Sequence, residues 1–242
     1  DRGLLGLVLD PDYANNGYLY VLYNIDPVFG EPDEDSDSIT WGRLTRYTVV
    51  GNQADLGSRL VLLGATAADG VPSCHNSHSI GTLAFGADGS LFVGSGDGAH
   101  YDFTDGGQNV TSFDPDCEAT FGAAADHGAL RSQTFDTLAG KILRIDPATG
   151  LGYTDNPWYD GVDPSSVESR TWVIGMRNPY RFTVRPLQPG QTGPGSLYIG
   201  DVGWGTWEEL DVAHGGENFG WPCFEGDDPQ GSYQSNPNTS AF

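Results

Sequence analysis

Three times along the chain a short apolar run meets a polar turn and returns in one pattern: glycine, any residue, leucine, an aromatic residue, then a β-branched residue. Leu7-Val8-Leu9 leads through residues 10–16 to Gly17-Tyr18-Leu19-Tyr20-Val21. Leu83-Ala84-Phe85 leads through Gly86-Ala87-Asp88 to Gly89-Ser90-Leu91-Phe92-Val93, and Phe182-Thr183-Val184 leads to Gly195-Ser196-Leu197-Tyr198-Ile199. Short alternating runs bounded by Gly, Asp and Pro read as strands joined by turns. Further strands are expected at 43–50, 59–63, 141–145, 171–175 and 208–212. About four strands per unit, repeated at long and irregular spacing, is the pattern of a β-propeller. A β-sandwich is the competing architecture, and the matching units argue against it. The spacings, 76 residues from Leu7 to Leu83 and 99 from Leu83 to Phe182, require long loop insertions. The insertion at 98–137 is expected to hold a short helix near 126–133.

Three units do not close a propeller. The expectation is one all-β domain over residues 1–242 holding about three blades, beginning inside a repeat and stopping without a closing strand.

Charge excludes several partners. The net charge is −22, with 11 Lys and Arg against 33 Asp and Glu. Such a surface repels nucleic acid and anionic membranes. No apolar run approaches the roughly 20 residues of a membrane-spanning helix. The acidity suits an extracellular or periplasmic protein, or one adapted to high salt. The acidic loop at 31–38 lacks the glycine and terminal glutamate of an EF-hand and reads as a solvated turn. Asn109-Val110-Thr111 and Asn238-Thr239-Ser240 are glycosylation acceptors only in a eukaryotic secretory route. Of three cysteines, Cys74 and Cys117 flank one loop region and are candidates to pair. Cys223 is then left over, either paired beyond residue 242 or a free buried thiol.

The chemistry-bearing stretch is residues 75–98, HNSHSIGTLAFGADGSLFVGSGDG. It sets His78 in a Ser/Gly loop before one strand and Asp97 in a Gly-rich turn after the next. If the two strands pair, both residues emerge at the same sheet edge. An imidazole whose second nitrogen is held by a carboxylate is a standard general base. Plainer readings stand beside this one. Asp97 suits a turn residue satisfying backbone N–H groups. His75 and His78 form a His-x-x-His pair with no third metal ligand in view. Arg177-Asn178-Pro179 suits a strand-end turn with the arginine ion-paired on an acidic surface, and Trp204, Trp207 and Trp221 read as packing residues.

Six segments in order resemble the soluble quinoprotein glucose/sorbosone dehydrogenases. They are Arg2-Gly3-Leu4-Leu5-Gly6 with Asp10-Pro11-Asp12-Tyr13; His78-Ser79-Ile80-Gly81-Thr82-Leu83 with Gly94-Ser95-Gly96-Asp97; Gly140-Lys141-Ile142-Leu143-Arg144-Ile145; Asp155-Asn156-Pro157; Gly175-Met176-Arg177-Asn178-Pro179; and Gly216-Glu217-Asn218-Phe219-Gly220-Trp221-Pro222. The resemblance implies a six-bladed propeller, of which this chain carries a part. It implies an enzyme that oxidises a sugar hydroxyl by hydride transfer to pyrroloquinoline quinone, later reoxidised by an external electron acceptor. Under it His78 is the base and Asp97 the carboxylate beside it; Arg177 and Asn178 contact the cofactor; and the backbone carbonyls of Gly203 and Trp204 hold a calcium ion. Trp204 replaces a proline seen in other members, a change that a backbone ligand tolerates. Asp1 stands where some members carry a polar amide against the quinone. The family's further cationic contacts fall past residue 242. Propellers of this superfamily also serve as binding modules without chemistry, as in hedgehog-interacting proteins, and that is the alternative.

Overall fold

The computed structural model describes residues 2–25, 39–107, 117–237 and 239. Asp1, the acidic loop at 31–38 and both glycosylation sequons, at Asn109 and Asn238, lie outside the described residues.

Most of the described elements are strands: β1 Leu4–Leu9, β2 Tyr18–Asn24, β3 Thr40–Val50, β4 Gln53–Leu63, β5 Val71–Ser73, β6 Ile80–Phe85, β7 Leu91–Ser95, β8 Lys141–Ile145, β9 Thr171–Ile174, β10 Arg181–Val184, β11 Leu197–Asp201, β12 Glu209–Ala213, β13 Phe224–Glu225 and β14 Asp228–Pro229. They form antiparallel meanders. The first is β1-β2-β3-β4 with β5 on the start of β3, the second β6-β7-β8-β9 and the third β10-β11-β12; β13 and β14 make a small separate hairpin. Each recurrent unit of the sequence supplies the first two strands of one sheet: β1 and β2, β6 and β7, β10 and β11. The first strand of the second sheet, β6, contacts the first strands of both neighbours, β1 and β10. This is the inner-strand arrangement of a propeller with three blades present.

The core explains the order. One apolar cluster joins Tyr20, Leu22, Leu44 and Leu63 of the first sheet to Leu83, Leu91, Val93, Leu143 and Ile145 of the second. A second cluster joins Phe92, Ile142 and Val173 of the second sheet to Phe182, Leu197, Ile199 and Ala213 of the third. Along β7, Leu91 and Val93 serve one face and Phe92 the other, as strand geometry requires. The middle sheet is therefore buried on both faces. Leu4, Leu7 and Leu9 on β1 and Leu210 and Val212 on β12 remain exposed on the flanking sheets.

The insertion after β7 differs in detail from expectation. It carries a helical turn at Cys117–Phe121 and 3₁₀ turns at Ala123–Ala125 and Gly128–Gln133. Cys117, at the start of that turn, forms a disulfide with Cys74. Cys223 is free and half-buried.

Candidate active site

Antiparallel pairing delivers the predicted residues to one rim. The starts of β6, β8 and β10 and the ends of β7, β9 and β11 coincide, as the pairs Ile80–Ser95, Ser95–Lys141, Lys141–Ile174 and Arg181–Gly200 show. His78 lies just before β6, Asp97 just after β7, Arg177 and Asn178 between β9 and β10, and Gly203 and Trp204 just after β11. Backbone bonds lace the turns together. Gly140 N–H donates to Gly96 O (2.8 Å), Met176 N–H to Gly140 O (3.1 Å), and Asp97 N–H to Arg177 O (2.9 Å).

The His78 loop is held in an uncommon shape. His78 has φ of 49°, the one positive value outside glycine among the described residues. Its carbonyl accepts the Gly98 N–H at 2.9 Å, and Ser79 O accepts the Gly96 N–H at 3.0 Å. Glycine at 96 is required by this approach, because an added Cβ would lie 2.2 Å from His78 O. A histidine in left-handed backbone is costly unless its surroundings fix it, and such positions cluster at functional sites.

Within this frame His78 Nδ1 lies 3.0 Å from Asp97 Oδ1. The imidazole is 5% exposed and the carboxylate fully buried. Burial by itself pushes the Asp97 carboxyl up. The His78 interaction, the Arg177 charge and the Ala99 N–H outweigh it and hold the group below the usual carboxylate range. An ionised carboxylate only accepts hydrogen bonds, so Nδ1 of His78 carries the hydrogen and Nε2 is the basic nitrogen. Asp97 also fills the turn role expected of it, since Oδ1 accepts the Ala99 N–H at 2.9 Å.

Arg177 is not the surface ion pair of the plainer reading. It is 4% exposed, and Nη1 donates to the carbonyls of Val202 (2.9 Å) and Gly203 (2.8 Å). Its buried Nε–H has no acceptor among the described residues. The backbone N–H groups of Arg177 and Asn178 donate to the two oxygens of Asp201 at 2.8 and 2.6 Å. That carboxylate at the end of β11 therefore fixes the Arg-Asn pair. A buried guanidinium with an idle donor suits a carboxylate-bearing ligand such as pyrroloquinoline quinone, which carries three carboxylates.

The Gly203 carbonyl expected to hold calcium accepts from Arg177 Nη1, so an ion there would share that oxygen with the guanidinium. Calcium takes six to eight oxygens. Among the described residues no group of three or more His, Cys, Asp or Glu is placed to hold a metal. The loop itself is well ordered by Glu225, whose Oε1 accepts the N–H groups of Trp204, Gly205, Thr206 and Trp207 at 2.6, 2.9, 3.0 and 3.2 Å. The His-x-x-His alternative has a different outcome. The His75 ring packs on His100 with centroids 4.2 Å apart, and burial, followed by the His100 and Arg2 charges, lowers its pKa to about 4.

Two residues gave no functional signal in the sequence. Trp221 donates its indole N–H to Asp97 Oδ2 at 2.7 Å. Arg131, fully buried, donates to the carbonyls of Ala125, Asp97 and Gly98 and to Cys117 Sγ. Both partnerships span loops whose meeting no local pattern announces. The order of the motifs, with Gly220-Trp221-Pro222 closing the set, was the only available hint for the first.

Comparison with known proteins gives a consistent result. A family model described as Glucose / Sorbosone dehydrogenase matches residues 1–241. Quinoprotein glucose dehydrogenase B of Acinetobacter calcoaceticus is 27% identical over 230 residues, covering 93% of this chain and 41% of the relative. The HIPL1 protein of Arabidopsis thaliana is 25% identical, covering 93% of this chain and 33% of the relative. Human hedgehog-interacting protein is 36% identical over 104 residues, 40% of this chain. The PQQ-bound aldose sugar dehydrogenase of Streptomyces coelicolor superposes with a TM-score of 0.56 at 24% identity, covering 94% of this chain and 50% of that one. At that identity the superposition speaks for the fold alone. The chain spans a third to a half of the length of the HIPL1 protein, the Acinetobacter dehydrogenase and the Streptomyces dehydrogenase.

Proposed function

This chain belongs to the glucose/sorbosone dehydrogenase family, and we propose that it forms the base-bearing part of a quinoprotein that oxidises a sugar hydroxyl. Converting an alcohol to a carbonyl removes a proton from oxygen and a hydride from carbon. No side chain accepts a hydride, so a cofactor is obligatory. Pyrroloquinoline quinone, when bound, supplies that acceptor, and an external acceptor later takes the electrons. The observation that carries the reading is the buried His78–Asp97 pair laced by backbone to Arg177.

In this reading His78 takes the hydroxyl proton at Nε2. Asp97 holds Nδ1–H, keeps the ring in the right tautomer and balances the imidazolium that forms. Arg177, with its idle Nε–H, and Asn178 grip the quinone's carboxylates. Gly203 and Trp204 would offer their backbone carbonyls to calcium, the Gly203 oxygen being shared with Arg177 Nη1, and no step depends on the ion. The Cys74–Cys117 disulfide supports an extracellular or periplasmic setting.

The binding-module reading draws support from the hedgehog-interacting match. The two are separated by titrating the full-length protein with pyrroloquinoline quinone, with and without calcium, and then assaying aldose-dependent dye reduction. Saturable quinone absorbance changes followed by sugar-dependent turnover are expected. Quinone binding without turnover favours the module, and no quinone binding removes the dehydrogenase reading.

A further inference from the structure

We propose that Trp221 is a positioning residue that sets the His78–Asp97 pair and the Arg177 guanidinium in one fixed relation. The proposal rests on the dehydrogenase reading above and deepens it. Trp221 is 124 residues from Asp97 in sequence, yet its indole N–H donates to Asp97 Oδ2 at 2.7 Å. That is the carboxylate oxygen His78 does not use. On its π face the same ring lies 5.2 Å from Arg177 Cζ, within cation–π range. One side chain thus touches both the carboxylate that orients the base and the cation assigned to the cofactor.

The ring is itself immobilised. Trp221 is 3% exposed. Trp204 and Tyr233 meet it edge-on with centroids 6.1 and 5.4 Å away. Its backbone N–H donates to Gly175 O at 3.1 Å, two residues before Arg177, and its carbonyl accepts from Ser132 Oγ and Gln133 Nε2, each at 2.6 Å. Packing alone would need the ring but not the N–H. A buried carboxylate gains from a second charge-assisted donor, and a rigid one fixes the plane in which Oδ1 meets His78.

Trp221→Phe separates the two roles, because it keeps an aromatic face toward Arg177 and deletes the donor. In the full-length protein, kcat for aldose oxidation is expected to fall about ten- to a hundredfold, the range for a hydrogen bond to a charged group. KM should change little. The acid limb of the pH–rate profile should move to higher pH, because Asp97, deprived of one donor, pulls harder on the His78 hydrogen. An unchanged kcat and profile in a folded W221F protein overturns the proposal and leaves the dehydrogenase reading standing. Should the variant not fold, or the wild type show no turnover, ¹⁵N-tryptophan NMR of the wild-type protein decides. The proposal requires the Trp221 indole N–H to resist exchange and to shift with the titration of the His78–Asp97 pair. A resonance that exchanges freely or ignores that titration overturns it.

Discussion

Asp97 and Asp201 are the same residue type, both buried, both at or just past the end of a second strand, and they come out with opposite acidities. Asp97 follows β7 in the middle blade, where His78, Arg177 and the Ala99 N–H together outweigh burial and keep it ionised. Asp201 ends β11 in the third blade. Burial dominates there and, with Glu209 and Asp211 nearby, outweighs two backbone N–H donors and lifts the group to about 8. Burial decides the second case, and in the first the neighbouring positive groups overcome it. The middle blade brings histidine and arginine to its carboxylate, and the third brings two more acids from β12. Asp201 is suited to a structural task, capping the Arg177 and Asn178 N–H groups, and Asp97 to holding a proton-transfer partner.

The contrast breaks most visibly at Asp97. Asp97→Asn puts an amide where His78 requires an acceptor and upsets the tautomer that leaves Nε2 basic. In the full-length protein turnover should drop by about 10²- to 10⁴-fold, the usual contribution of a general base, as read from initial rates of dye reduction. Retention of wild-type turnover would mean that His78 does not depend on this carboxylate.

A smaller effect sharpens the same contrast through pH. A carboxyl held low in the fold, as at Asp97, contributes stability above its unfolded value near 3.8 that is lost as pH falls through the folded value. A carboxyl raised to about 8, as at Asp201, does the reverse: its contribution is complete below about 4 and is lost as pH rises through about 8. Asp201→Asn removes that second slope. Thermal melts at pH 5 and pH 8.5 should show the variant gaining on the wild type by several degrees at the higher pH, because the wild type loses this contribution across most of that interval. Parallel melting curves at both pH values would place the Asp201 carboxyl in the ordinary range.

The blades were legible in the sequence because each first hairpin repeats one alternation around one kind of turn. Strand ends were less so. Only 59–63 was expected of β4, which runs Gln53–Leu63, because its first half is largely exposed and carries little apolar signal. The three-residue β5 is too short for any period to register. His78 and Asp97 were readable as a pair because a single hairpin joins them, so local pairing fixes their meeting. Trp221, Arg131 and Glu225 reach the site across sheets and loops, and nothing in their local sequence marks the partner. Calcium at Gly203 rests on resemblance alone, and no local pattern reveals that the Arg177 side chain bonds the same carbonyl.

The account turns on His78 as the proton acceptor, and His78→Ala in the full-length protein addresses that claim at its source. Sugar-dependent dye reduction should vanish while the quinone absorbance titration keeps its wild-type midpoint. Undiminished turnover in that variant would contradict the account.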